Sequence, residues 1–352
     1  MKKPRIVTFL FGFLGALIIY LSLLYFLLQF EGDNPSATIQ SWPDALWYST
    51  VTLTTVGYGD MVPQSSIGKM IGSIFILFSM GIYGVLIGQI ANIIKDIREN
   101  KKLGMNGTLF EQHVIIIGWT EFGKAVTDQL VAAGRKVAII TKEKDNIDII
   151  REYYSSKDVF VLFSDYNNVD MLSKANIEKS SVIFVNLNDD TEKLVYILNL
   201  KKVYDKLTYI VTLDNANLKN TFMTAGVTYA ISKHEISSKL LASYIFEPDV
   251  AEYSEEIISF AATDDDFDIK QFAVLDSNPY KGSYYEKVFF EIKKECNAVL
   301  IGIVKYENGE KTMYKNPEKD IIIEEGDYLI MISNGKAEHK ISEIFNTKEG
   351  VR

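Results

Sequence analysis

Residues 55–60 read Thr55-Val56-Gly57-Tyr58-Gly59-Asp60, with glycine at alternate positions and an acid immediately after. Glycine occupies left-handed dihedrals at little cost, so such a run can turn successive backbone carbonyls toward one side. A ladder of carbonyl oxygens facing one axis replaces the hydration shell of a bare cation. Val56 and Tyr58 then point away from the ladder into packing. The chemistry implied is the passage of a cation, with no bond made or broken.

Such a segment needs a scaffold. Residues 6–30 carry no charge, and 25 residues are enough to cross a hydrocarbon core of roughly 30 Å with some tilt. Lys2, Lys3 and Arg5 ahead of this run suggest a signal peptide, but the run is too long and no small-residue cleavage site follows. Residues 67–94 form a second span, interrupted only by Lys69 and by small or polar residues. Basic residues precede the first span and follow the second at Lys95, Arg98, Lys101 and Lys102, whereas the intervening loop carries Glu31, Asp33 and Asp44. Both termini are therefore expected on the cytoplasmic side of a cell membrane. Between the spans, Pro43 and Asp44 sit where the first turn of a helix favours them, predicting a short re-entrant helix over residues 43–54. The negative end of its dipole would face a central cavity and favour a cation there.

Residues 45–60, ALWYSTVTLTTVGYGD, closely resemble the pore helix and selectivity filter of the two-transmembrane potassium channels. The resemblance implies a homotetramer whose filter carbonyls, at Thr55, Val56, Gly57, Tyr58 and Gly59, hold potassium ions, with Thr55 adding its hydroxyl. It also implies filter support from Trp47 and Tyr48 as an aromatic cuff and from Asp60 just outside, held by the Trp47 indole. Some relatives carry a pore-helix glutamate where this chain has Val51, so the carboxylate pair with Asp60 is absent here. Among the glycines of the second span, Gly72, Gly81, Gly84 and Gly88, the resemblance places a gating hinge at Gly81, with Gly84 as the fallback.

After the segment Lys101-Lys102-Leu103-Gly104-Met105-Asn106-Gly107 the composition becomes that of a soluble protein. The expected organisation is a pore domain over 1–98, a gating linker over 99–110, and two further domains over 111–250 and 251–345. Apolar strand runs at 113–118, 136–141, 159–163, 181–185, 209–213 and 227–231 alternate with helix-length segments, which predicts a parallel, doubly wound, Rossmann-like sheet. The first strand-to-helix turn reads Gly118-Trp119-Thr120-Glu121-Phe122-Gly123, a dinucleotide fingerprint whose middle glycine is Thr120. That position lets backbone approach a pyrophosphate, so its side chain argues against NAD.

This region resembles the RCK (regulator of potassium conductance) domains, also described as TrkA-N and TrkA-C, attached to channels of the MthK type. In the calcium-gated members three carboxylates near the ends of two later strands bind the ion. The matching positions here are Asn186, Thr212 and Asp214, with Asp189, Asp190 and Glu192 close by. Calcium affinity depends on the number of charged oxygen ligands, so calcium or another divalent cation at Asp214 is a candidate with a thinned ligand set.

From about residue 252 strand-like runs at 256–261, 298–304 and 328–332 predict a small α+β module resembling the C-terminal RCK subdomain. Asp264, Asp265, Asp266 and Asp268 cluster as a solvated loop or a second cation site. The apolar helix around 236–246 is expected to pair two RCK domains. The family can also build rings with separately made soluble copies, for which Met105 is a conceivable start.

A formal charge of -9 argues against nucleic acid as a partner, and the single cysteine, Cys296, precludes an internal disulfide and fits a reducing compartment. His113, His234 and His339 lack metal-site spacing, and no Ser-His-Asp set, P-loop or paired-carboxylate motif is present, so no enzyme is expected. The reading is a tetrameric, ligand-gated potassium channel in the plasma membrane, in contact with lipid. The alternative is a nucleotide-sensing regulatory subunit of a potassium transport system.

Overall fold

A computed structural model describes residues 3–350 except 33, 35, 262, 308, 309 and 319, so Asp33 lies outside the described residues. The chain divides into two units, Met1–Glu99 and Asn100–Arg352.

The first unit consists of α1 (Lys3–Gly32), α2 (Trp42–Leu53) and most of α3 (Ser66–Lys102). At 1.5 Å per residue the 37 residues of α3 extend about 55 Å, and it is long and apolar enough to cross a membrane. Helix α2 starts where its caps dictate. Ser41 caps Asp44 N–H, the Asp44 carboxylate returns to the Ser41 N–H at 2.9 Å, and Pro43 sits in the first turn. Leu24 and Leu27 of α1, Ala45 and Tyr48 of α2, and Ile71 and Phe75 of α3 form a core with Ile39.

The second unit begins with a six-stranded sheet in the order β3-β2-β1-β4-β5-β6. Its strands are β1 (Val114–Ile117), β2 (Val137–Thr141), β3 (Val159–Phe163), β4 (Val182–Val185), β5 (Thr208–Leu213) and β6 (Tyr229–Ser232), all parallel. The intervening helices are α4 (Glu121–Ala132), α5 (Lys144–Tyr153), α6 (Val169–Leu172), α7 (Asp190–Lys201) and α8 (Lys219–Thr224). Every residue of β1 and β2 is buried, which is why these strands are continuously apolar. The order reverses between β1 and β4, so the carboxyl ends of these two strands flank the crevice where open α/β sheets take ligands.

Helices α9 (Lys233–Phe246) and α10 (Pro248–Ile258) follow, then β7 (Phe267–Ala273), α11 (Tyr285–Cys296), β8 (Val299–Glu307), β9 (Glu310–Lys315), β10 (Tyr328–Asn334) and α12 (Gly335–Phe345). The second sheet is antiparallel in the order β7-β10-β8-β9. The run 256–261 is not a strand: α10 continues to Ile258 and the strand comes later, at β7. Pro248 and Asp249 start a helix whose first turn they suit, and a short apolar run at its end reads as a strand only out of that context.

Candidate functional site

The expected ion-coordinating segment leaves α2 through its last carbonyl ladder. Val56 N–H and Gly57 N–H both donate to the Val51 carbonyl, at 3.0 and 3.3 Å. Three alternate residues, Thr55, Gly57 and Gly59, have positive φ, at 58°, 59° and 75°. The sequence marks two of these with glycine. Thr55 is a left-handed non-glycine residue, a costly conformation of the kind found at functional sites. Nothing lies within 4 Å of where a Cβ would stand on Gly57 or Gly59, so these glycines serve backbone shape alone. The Tyr58 ring stacks on Trp47 with centroids 6.1 Å apart and planes 6° from parallel, and the Trp47 indole N–H donates to Asp60 at 2.7 Å. Tyr48 is buried against Phe75, whereas Val56 and Tyr58 present exposed side chains on the single chain. Gly81, Gly84 and Gly88 have open space around them, and α3 runs through all three as one helix.

Residues 100–112 are bound into the second unit. Arg151 donates to the carbonyls of Lys101 and Lys102, and Lys102 pairs with Asp148. Phe163 N–H donates to Leu103 O, Thr108 N–H to Lys174 O, and Lys174 Nζ to Met105 O. Met105, the conceivable internal start, thus sits inside a bonded segment.

At the switch point, Thr120 is the N-cap of α4 and its hydroxyl accepts the Gly123 N–H at 3.2 Å. Asn186, buried at the end of β4, donates from Nδ2 to the Thr120 hydroxyl at 2.8 Å. A Cβ on Gly118 would stand 2.5 Å from the Asn186 carbonyl oxygen, and one on Gly123 would stand 2.5 Å from Asn186 Nδ2. Asn186 therefore fills the space that both glycines leave, and Thr120 occupies an N–H that a phosphate would need. The residues of this turn do not fit a dinucleotide pyrophosphate.

The carboxyl ends of β4 and β5 bring the other candidates together, each with a partner from the chain itself. Lys193, fully buried, donates to Asp190 Oδ1 and to the Thr212 carbonyl, both at 2.8 Å. The Asp190 carboxylate also accepts the N–H groups of Asp214 and Asn215, at 3.1 and 2.9 Å. Asp189 caps α7 by accepting the Glu192 N–H. Asp214 pairs with Lys233 at 2.8 Å, and that hydrogen bond holds its carboxyl below the usual range. Asn186 is engaged with Thr120, and the Thr212 hydroxyl is buried without a partner among the described residues. No group of three or more metal-ligating side chains gathers among the described residues. Lys193 was not singled out in the sequence, and its only signal was a lysine one turn into an acidic helix start.

The acidic run at 264–268 is likewise supplied with cations. Asp265 pairs with Lys336, and Asp268 is a buried strand residue whose partner Lys270 also reaches Glu338 and Glu349. Burial alone would lower the Lys270 pKa, but these carboxylates raise it well above the usual lysine value. His113 is buried with Nε2 on the Ala175 carbonyl, and burial pushes its pKa down. Helix α9 has no buried residue and exposes Ile236, Leu241, Ile245 and Phe246.

Residues 8–96 match the ion channel family model, and residues 114–233 match the TrkA-N domain. This chain joins an ion-channel module to a TrkA-N domain. It is homologous over most of its length to potassium channel proteins. Potassium channel protein 1 of Methanocaldococcus jannaschii is 24% identical over 303 residues, covering 83% of this chain and 86% of that one. The calcium-gated potassium channel TvoK of Thermoplasma volcanium is 24% identical over 312 residues, covering 85% and 84%. The human SLO3 gating ring aligns with 66% of the chain at a TM-score of 0.50 and 12% identity, and the chain spans 46% of its length. That likeness concerns the fold alone, that of the unit built on the Rossmann-like sheet.

Proposed function

We propose that this chain forms a homotetrameric, potassium-selective channel of the plasma membrane, gated by a ligand acting on a cytoplasmic RCK ring. The observation that carries the reading is the left-handed alternation at Thr55, Gly57 and Gly59, braced by Trp47, Tyr58 and Asp60. In a fourfold arrangement the carbonyls of residues 55–59 would take over the hydration shell of potassium, while Val56 and Tyr58 would find partners on neighbouring subunits. Both termini lie in the cytoplasm in this reading, and exposed α1 and α3 side chains meet lipid.

Gating requires a ligand that binds the ring of open channels better than that of closed ones, since equal affinity shifts no population. The bonded segment 100–112 would carry the ring's movement to the pore, with α3 bending near Gly81 or Gly84. Strand-end calcium gating is disfavoured, because Lys193 and Lys233 already neutralise Asp190 and Asp214. Dinucleotide gating at residues 118–123 is disfavoured by the Thr120 cap and the Asn186 filling. The exposed face of α9 supports pairing of RCK domains, with further copies or with separately made soluble ones.

The test is the purified protein in a planar bilayer under a potassium gradient. A reversal potential at the potassium equilibrium value, shifting when sodium replaces potassium, is the expected result. Currents indifferent to that exchange would reject the reading.

A further inference from the structure

Two glycines on the outer part of α3 differ from those further along it. A Cβ on Gly68 would stand 2.0 Å from Glu31 Oε1 and 2.9 Å from the Ser65 hydroxyl, and a Cβ on Gly72 would stand 2.4 Å from the Tyr48 hydroxyl oxygen. Contacts this short do not occur between real atoms, so each glycine is a notch holding a polar group from another element. Gly68 and Gly72 are four residues apart and so lie on one face of α3. The first notch receives the end of α1. Glu31 is fully buried, and its carboxylate accepts the N–H groups of Gln64 and Ser65 at 2.9 and 2.8 Å, just before α3 begins. The second notch receives α2, where Tyr48 also packs edge-on against Phe75 of α3.

Contacts lead from the second notch to the ion-coordinating segment. Tyr48 is three residues before Val51 on the same helix, and the Val51 carbonyl receives the Val56 and Gly57 N–H groups. Trp47, the neighbour of Tyr48, holds both Tyr58 and Asp60. A displacement of α2 away from α3 would therefore move the acceptor and the aromatic brace of the filter together. Cores are close-packed, and an added methyl is accommodated by shifting whichever element gives most easily.

We propose that Gly72 is a positioning residue for the filter, setting the seat of α2 through the Tyr48 hydroxyl, with the Glu31–Gly68 contact fixing the adjoining outer end of α3. The inference rests on the potassium-channel reading and adds a residue outside the filter on which its selectivity depends. The dependence is specific to one oxygen atom. Without the Tyr48 hydroxyl, the nearest atom to a Cβ at position 72 is Tyr48 Cζ at 3.6 Å, an ordinary van der Waals contact.

The test is a double-mutant cycle on the full-length channel, comparing wild type, Gly72→Ala, Tyr48→Phe and the double variant. The readouts are the potassium-to-sodium permeability ratio and recovery of the assembled channel by gel filtration. Gly72→Ala is expected to lower the permeability ratio roughly tenfold or more, as sub-ångström misplacements at tuned sites do. In the Tyr48→Phe background the same substitution is expected to change it by less than about twofold. If Gly72→Ala also reduces assembly, the double variant is expected to recover it. A wild-type ratio in Gly72→Ala, or equal losses in both backgrounds, overturns the proposal while potassium-selective current in the wild type leaves the channel reading intact.

Discussion

Two glycine-bearing segments of this chain look alike on paper and differ in what occupies the space their glycines leave. In residues 55–59 the space beside Gly57 and Gly59 is empty, and both residues are left-handed, so glycine is there for backbone shape. In residues 118–123 the space beside Gly118 and Gly123 is filled by Asn186, so glycine is there for close packing, and at Gly118, whose φ is 94°, for backbone shape as well. Among the described residues no hydrogen bond reaches the carbonyls of the first segment, whereas the second has used its groups internally. A glycine pattern therefore indicates a binding site only when the volume it vacates stays vacant.

The largest effect is expected from breaking the backbone side of this contrast. Gly57→Ala or Gly59→Ala forces a side chain into a left-handed position at a cost of about 1–2 kcal/mol per chain, which the proposed tetramer would repeat in each copy. Loss of potassium selectivity, read as a reversal potential near zero under a potassium-sodium bi-ionic gradient, is the expected outcome.

Next comes the internal cation of the regulatory unit. Lys193→Met leaves the Asp190 carboxylate without its buried partner, and breaking a buried ion pair from one side costs roughly 3–5 kcal/mol. Chemical denaturation of the purified channel should show the regulatory transition at clearly lower denaturant, while filter selectivity is unchanged.

The packing side of the contrast is sharpened by Gly123→Ala. Its added Cβ meets Asn186 Nδ2, and overpacking of this kind costs about 1–3 kcal/mol. Asn186→Ala in the same chain should return part of that loss in the same denaturation experiment. If Gly123→Ala were instead neutral, Asn186 would be a loose occupant and the cleft open to ligand.

The smallest effect concerns Asp214, which is half exposed beside Lys233. Its pKa is lowered in the folded chain, so its contribution is present above the unfolded carboxylate value and is lost as pH falls through the folded one. Asp214→Asn should therefore destabilise by less than about 1 kcal/mol at neutral pH, with the difference from wild type vanishing as pH falls through the lowered carboxyl pKa of the folded chain.

Much of the architecture was legible because its signals are local. Long uncharged runs, the Pro43-Asp44 helix start and the alternation of apolar strands with helices need only neighbouring residues to be interpreted. The misreading at 256–261 arose where a short apolar run is compatible with both periods, and Pro248, eight residues upstream, decided for a helix. The acidic run at 264–268 was opaque because its cations, Lys270 and Lys336, come from β7 and from α12, the latter some seventy residues on.

What the sequence by itself determined is the backbone shape at Gly57 and Gly59, since residue type limits backbone dihedrals and the requirement for glycine is written where it acts. Tertiary structure alone decided how the remaining groups are used. Asn186 fills the glycine turn 68 residues away, Glu31 and Tyr48 enter the notches of α3, and Lys193 takes the carbonyl of Thr212 from another element. Such pairings depend on which elements fold against each other, and a side chain's available partners are fixed only once that packing has formed.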